Sequence, residues 1–418
     1  MGSARVVVVV GAGPAGLAAA VACREQDVCV RVLEQGLPHT NRRHDDPDHA
    51  ATGVGGAGLF SDGKFSFYPS ATNVWCLEPR EDLERAYAWL TAQLHVAGLA
   101  VPPLPRERRP RLFASGDRFA LKAYPSISVS LARRINLIED LAQAIGPGLE
   151  TGTQVVRMNA RSDRVSTLIL RDGEQDVVEG DAAVVATGRL GAAALSADLP
   201  ACLTMFGRLE IGVRIEQPAD KFFLRDVPLT DPKFILTDGE RQYRTFCVCR
   251  AGEIVPIRCG GLLTLSGRSD GGRTQRSNAG FLLRITDADL AGELWADMLP
   301  RLVRLARPIA EPLEEFLTAR DSAIAALFGA RAAEGLRDGI QHLIRQFGAA
   351  ALDEATLHAP ALEGVLRYPK VDRSLRVGTL PLWVAGDACG RFRGLVAALL
   401  SGYVAGSRAA ARVTTCRR

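Results

Sequence analysis

Gly11-Ala12-Gly13-Pro14-Ala15-Gly16, with Glu34 downstream, is the stretch whose residue types and spacing carry the most definite chemistry. Glycine at the first position permits a tight turn. At the second it lets the backbone approach a pyrophosphate, and at the third it lets a helix lie against a strand. A helix starting there directs its unpaired N–H groups and the positive end of its dipole at phosphate oxygens. An acid at Glu34 can accept the hydroxyls of an adenosine ribose. Lys64 ends a second glycine-rich stretch, Thr52 to Gly63. A cation there can stabilise negative charge on a bound group or grip a carboxylate. Its plainer reading is an ion pair with Asp62.

The elements around these residues read as follows. Residues 5–10 are a β-branched run ending at Gly11, a buried strand. Pro14 suits the first turn of a helix continuing to Arg24, and 28–33 form a second strand with Glu34 at its carboxyl end. Helices are expected over 81–96 and 128–145, separated by a Pro- and Arg-rich loop at 101–111. The alternating segments 150–158, 165–171 and 175–179 form a meander with Asp172-Gly173 as hairpin turn. Residues 181–185 are a strand running into Ala186-Thr187-Gly188. A further apolar strand ends at Gly386-Asp387, and a small-residue helix spans 393–402. Segments 209–216, 233–237, 243–248 and 261–265 read as a second sheet, and 287–346 as largely helical.

At 418 residues the chain exceeds one ordinary core, so two domains are expected. A net charge of +4 leaves no footprint for nucleic acid, and no apolar run reaches membrane-spanning length. Nine cysteines without a repeated spacing suggest reduced thiols and a cytoplasmic location.

In order along the chain, the glycine fingerprint, Ala186-Thr187-Gly188 and Gly386-Asp387 with its following helix resemble FAD enzymes of the glutathione-reductase-like superfamily. Thr52 to Lys64 and Arg244-Thr245-Phe246-Cys247-Val248-Cys249-Arg250-Ala251-Gly252 are similar to stretches of a family of largely uncharacterised FAD-dependent dehydrogenases. Arg250 and Ala251 stand where that family carries Pro and Gly. The resemblance implies an α/β chain: a Rossmann-like FAD-binding domain, a parallel sheet with a β-meander, plus a second α+β substrate domain. The first is discontinuous over 1–75, 126–200 and 366–418; the second takes 76–125 and 201–365.

FAD is the cofactor so implied. Its contacts would come from Gly11, Gly13, Ala15, Gly16, Glu34 and Gln35, with Arg42 or Arg43 at the pyrophosphate and Val155 or Val156 at the adenine. Gly55, Gly56, Ala57, Ser61, Asp62 and Gly63 line the second stretch, with Thr187 and Gly188 nearby. Gly386 and Asp387 reach the ribityl chain, and Gly394 and Leu395 face the flavin pyrimidine. Lys64, Arg391 and Arg393 are the candidate catalytic residues. The activity implied is dehydrogenation or oxidation of a small carboxylate- or amine-bearing substrate, with oxygen, a nicotinamide or a carrier protein as acceptor. A flavin monooxygenase fed by NAD(P)H is the alternative; an RNA-modifying or non-catalytic flavoprotein is a third.

Two clusters read as structural. Cys247 and Cys249 alternate on a predicted strand, which turns them to opposite faces and argues against a disulfide between them. His39, His44 and His49 with Asp45, Asp46 and Asp48 match no compact metal geometry, so no metal is expected. Arg214, Arg244, Arg250, Arg258, Arg268, Arg273 and Arg276 fall on or between strands of the second sheet. Any two turned inward would suit a carboxylate.

Overall fold

The computed structural model describes residues 5–107, 118–189 and 205–415. Val6–Val10 is buried along nearly its whole length, as expected for a strand covered on both faces. It forms the centre of a five-stranded sheet ordered Leu382–Val384, Ala182–Val185, Val6–Val10, Cys29–Leu33 and Leu149–Glu150. All its pairings are parallel. Val10 pairs with both Leu33 and Val185, and Val185 pairs with Val384. The fingerprint, Glu34, Thr187 and Gly386 therefore emerge at one edge, outside the carboxyl ends of the strands, where ligands of open α/β sheets bind.

The helix Pro14–Arg24 packs on this sheet side by side with the carboxyl-terminal helix Leu395–Thr415, which also touches its strands. A Cβ on Gly402 would stand 2.0 Å from the Ala15 carbonyl oxygen, and one on Gly406 2.1 Å from that of Ala19. This approach explains why both helices are rich in glycine and alanine. Gly16 is tighter still, with its notional Cβ 1.8 Å from the Gly11 carbonyl oxygen. Because that neighbour is backbone, no side-chain rotation relieves the clash. Gly16→Ala is therefore expected to lose about 1–3 kcal/mol or more of stability. A urea midpoint equal to wild type would show the packing to be looser than this.

The meander Thr153–Ala160, Val165–Arg171 and Glu174–Gly180 forms a separate three-stranded sheet. Asp172 and Gly173 both adopt positive φ (51° and 84°), the conformation of a two-residue hairpin turn.

A second core is built on a seven-stranded antiparallel sheet, ordered Ile309–Pro312, Thr356–Pro369, Met205–Pro218, Arg276–Ile285, Arg241–Cys249, Lys233–Asp238 and Ala120–Lys122. Ala288–Arg304 and Ala330–Phe347 bury one face each in this core, through Leu294, Met298, Leu336 and Ile340 among others. Gly339 admits the ring of Tyr243 against its backbone.

Several segments differ from expectation. Thr356–Pro369 and Arg276–Ile285 are long strands rather than connections, and Ile309–Pro312 interrupts the helical region. Pro360 and Gly364 look like strand breakers locally. Pairing with Met205–Pro218 accommodates them through register shifts at Glu210/Ile211 and Gly212/Arg214. The helix expected over 128–145 begins at Leu131, where the Ser130 side chain caps it, and Ser126–Ser128 pairs instead with Lys64–Ser66. The expected 101–111 loop lies partly outside the described residues. No described helix is long and apolar enough to cross a membrane.

Candidate functional site

The fingerprint turn is shaped by its first and third glycines. Gly11 has φ +96° and a notional Cβ 2.7 Å from the Ala186 carbonyl oxygen, so a side chain is excluded. Gly13 is different: its Cβ would meet only Gly56 Cα, at an ordinary 3.8 Å. Packing therefore leaves Gly13 unexplained, while the helix it caps has no side-chain cap. Beside this open backbone, Thr187 Oγ1 is buried without a hydrogen-bond partner. An uncapped helix start, an open glycine and an orphaned hydroxyl together fit a bound dinucleotide.

Glu34 is buried, and its carboxylate accepts three backbone N–H groups: Ala12 at 2.8 Å, Gly36 at 2.8 Å and Gly53 at 3.1 Å. A carboxylate offers about four acceptor positions, so capacity for one ribose hydroxyl remains where the sequence suggested two. Gln35 is exposed beside it; Val155 is half-buried and Val156 exposed on the meander.

Arg42 and Arg43 do not present free guanidinium groups at the phosphate position. Arg42 is buried and donates to the carbonyls of His49, Ala50, Gly53, Val54 and Gly56, folding the second glycine stretch around itself. Burial lowers its pKa to about 10. Arg43 points outward to Asp46 at 2.9 Å. Within the stretch, Gly55 N donates to Ala12 O at 2.8 Å, tying it to the fingerprint, and Ala57 is exposed. Ser61 Oγ donates to Gly58 O at 2.9 Å. Gly63 makes room for Arg134, which donates to Leu59 and Val129 carbonyls and pairs with Asp270.

Lys64 is held by carboxylates. Its Nζ lies 3.0 Å from Asp62 Oδ2 and 3.2 Å from Asp231 Oδ1, and it also donates to the Val248 carbonyl. The ammonium is thus engaged by two anions, one of them distant in sequence. It does not project freely toward a ligand.

The strongest charge arrangement is centred on Glu210, which is fully buried. Arg244 and Arg284 contact its Oε1, Arg208 lies 3.6 Å from the same atom, and Arg393 donates to Oε2 at 2.9 Å. Arg393 also reaches Asp387 at 2.8 Å and Glu363 at 3.0 Å, and so links this cluster to the Gly386-Asp387 turn. Glu210 is held well below the carboxylate range: burial opposes the charge, but Arg244, Arg393 and Arg284 outweigh it. Lys122 is lowered to about 7 and Lys233 to about 8, each by burial first and then by neighbouring cations. Arg391 lies over the Phe206 ring, 5.5 Å from its centroid. Gly386 donates to Ser401 Oγ, Gly394 is exposed, and Leu395 opens the helix beside it. Strand parity alone did not reveal this convergence, because Glu210 and the four arginines come from three strands and a loop.

Cys247 and Cys249 overturn the parity expectation. A register shift between Phe246 and Cys249, with Cys247 at φ +47°, bulges the strand. Both sulfurs therefore fall on one side, 3.9 Å apart.

Residues 9–47 match the family model described as an NAD(P)-binding Rossmann-like domain. No curated protein matches the chain. Among solved structures it is similar to the anhydrotetracycline hydroxylase OxyS from Streptomyces rimosus, at 15% identity and TM-score 0.40, over 98% of this chain and 62% of that one. CabE, an aromatic hydroxylase from angucycline biosynthesis, gives 16% identity and TM-score 0.44, over 99% and 63%. CmlS, a flavin-dependent halogenase, gives 13% and 0.44, over 99% and 59%. The chain thus spans less than two thirds of the length of these proteins. At TM-scores this low nothing about its chemistry follows from the likeness.

Proposed function

We propose that the chain is an FAD-dependent oxidoreductase acting as a dehydrogenase or oxidase on a small carboxylate-bearing substrate. The observation that carries this reading is the ring of Arg208, Arg244, Arg284 and Arg393 around one buried carboxylate, adjoining the Gly386-Asp387 turn. These four guanidinium groups face three carboxylates, Glu210, Glu363 and Asp387, which leaves positive potential that a substrate carboxylate can take up through paired N–H donors.

In this reading, Gly11 to Ala15 and the start of the Pro14–Arg24 helix hold the pyrophosphate, and Glu34 accepts one ribose hydroxyl. Val155 borders the adenine, and Thr187 and Asp387 bond nearer the flavin. The start of Leu395–Thr415 would turn its dipole toward a bound flavin and would stabilise negative charge there. Bound flavin would supply the hydride acceptor. Arg284 and Arg244 fix the substrate carboxylate, and Arg391 stays available on the Phe206 side. Arg393 holds Asp387 rather than substrate, so its part is to position that acid. Positioning by such clamps can itself account for much of the rate.

The test starts with the purified protein, expected to be yellow and to release FAD on denaturation. FMN, or no flavin, would overturn the assignment. Anaerobic bleaching of the flavin by a panel of hydroxy- and amino-carboxylates then identifies the substrate class. Arg284→Gln should raise KM for the responding acid by about tenfold, the equivalent of roughly 1.4 kcal/mol. If carboxylates leave the flavin oxidised and an uncharged aromatic instead stimulates NAD(P)H consumption, the monooxygenase reading replaces this one.

A further inference from the structure

We infer that Cys247 and Cys249 form a reversible dithiol–disulfide couple, a two-electron centre that exchanges with small thiols through Cys247. Their sulfurs lie 3.9 Å apart on a bulged strand end, so the bulge brings together the two atoms that a disulfide would join. Their exposures differ: Cys249 is completely buried, whereas Cys247 is only partly buried, and the exchange with a co-reactant is assigned to it on that ground.

The surroundings favour charge on the inner sulfur. Arg214 Nη2 stands 3.8 Å from Cys249 Sγ and donates to the Cys247 carbonyl at 2.8 Å. Lys64 lies close by, donating to the Val248 carbonyl between the two cysteines. The opposing anions are Asp62, within 4.8 Å of both sulfurs, and Asp231 behind Lys64. Donation from the Cys247 thiol, with Lys64 and Arg214, draws Cys249 below the usual thiol value against the penalty of burial. Cys247, as the donor, is held above it. Gly252 and Gly267 pack against Cys249, and a Cβ on Gly267 would stand 2.6 Å from its sulfur.

This asymmetry assigns the steps. A small thiolate attacks Cys247 Sγ of the disulfide, and the S–S bonding pair leaves with Cys249 as a thiolate between Lys64 and Arg214. A low-pKa sulfur is the better leaving group. A second small thiolate then attacks the small-molecule sulfur of the mixed disulfide and releases Cys247. Two small thiols become one disulfide, and the protein disulfide gains two electrons. Of the two protons released, one ends on Cys247 and the other goes to solvent. A divalent metal held by Asp62 and the two sulfurs is the competing use of the same atoms. The ammonium 3.0 Å from Asp62 and the guanidinium beside Cys249 already occupy the positions its charge would take.

The couple is independent of the flavin reading, and its test needs no substrate turnover. The full chain is equilibrated anaerobically across reduced-to-oxidised glutathione ratios, quenched in acid, denatured and alkylated with N-ethylmaleimide before peptide mass spectrometry. Cys247 and Cys249 should pass together from two adducts to none, in a peptide lighter by two hydrogens, and dithiothreitol should reverse the change. Cys249→Ser should accumulate glutathione on Cys247, whereas Cys247→Ser should leave Cys249 open to alkylation throughout. Two adducts at every ratio would overturn the inference even if neither variant folds. So would stoichiometric zinc that blocks oxidation until it is chelated.

Discussion

Lys64→Met should unfold at a much lower denaturant concentration than wild type, with an expected loss of about 3–5 kcal/mol. The side chain is 6% exposed, and the partners it would abandon, Asp62 and Asp231, are 15% and 12% exposed. Their carboxylates would remain in a weakly solvated interior without the cation that balances them. Asp231 also accepts from Tyr124 Oη at 2.8 Å and Val248 N at 3.0 Å, so it cannot turn toward water without breaking both bonds. Burial pushes the Asp231 carboxyl up, but Lys64 and Lys233 hold it below its usual value in the native protein. Urea titration followed by circular dichroism measures the effect. The double variant Lys64→Met/Asp231→Asn should recover part of the loss by removing one stranded charge. A single variant as stable as wild type would mean that the ammonium is free, and would return Lys64 to the role of a cation facing bound ligand.

Glu210→Gln should be nearly as damaging, by about 3–5 kcal/mol, because Arg208, Arg244, Arg284 and Arg393 would then face one another around an uncharged amide. Added phosphate or sulfate should raise the variant's thermal midpoint more than that of wild type, by supplying the missing anion. Equal responses would show that the cluster is already neutralised by Glu363 and Asp387. The pH dependence has a defined sign. The folded pKa of Glu210 is depressed, so its contribution is complete above the ordinary carboxylate value of about 4.3 and is lost as pH falls through the folded value. The gap between wild type and variant should therefore close in acid and stay constant from about pH 5 upward.

Sequence alone was enough for the start of the parallel sheet and its first helix, since their signals are local. Five consecutive valines, a glycine turn, Pro14 and a following alanine-rich helix leave few alternatives to a buried strand entering a close-packed helix. The Asp172-Gly173 hairpin and the meander were legible for the same reason. Tertiary structure decided what the charged and sulfur-bearing side chains do. Arg42 is drawn onto loop carbonyls, Lys64 finds Asp231 far along the chain, and four arginines converge on Glu210. Asp231 is far from Lys64 along the chain, as Arg244, Arg284 and Arg393 are from Glu210, so spacing could not show these partners. Cys247 and Cys249 make the point most sharply, because an alternating pattern predicts opposite faces and one bulge cancels it. A register shift costs little in the strand that bears it, yet it reverses the side every following residue presents. Only the pairing partners across the sheet determine where such a shift falls.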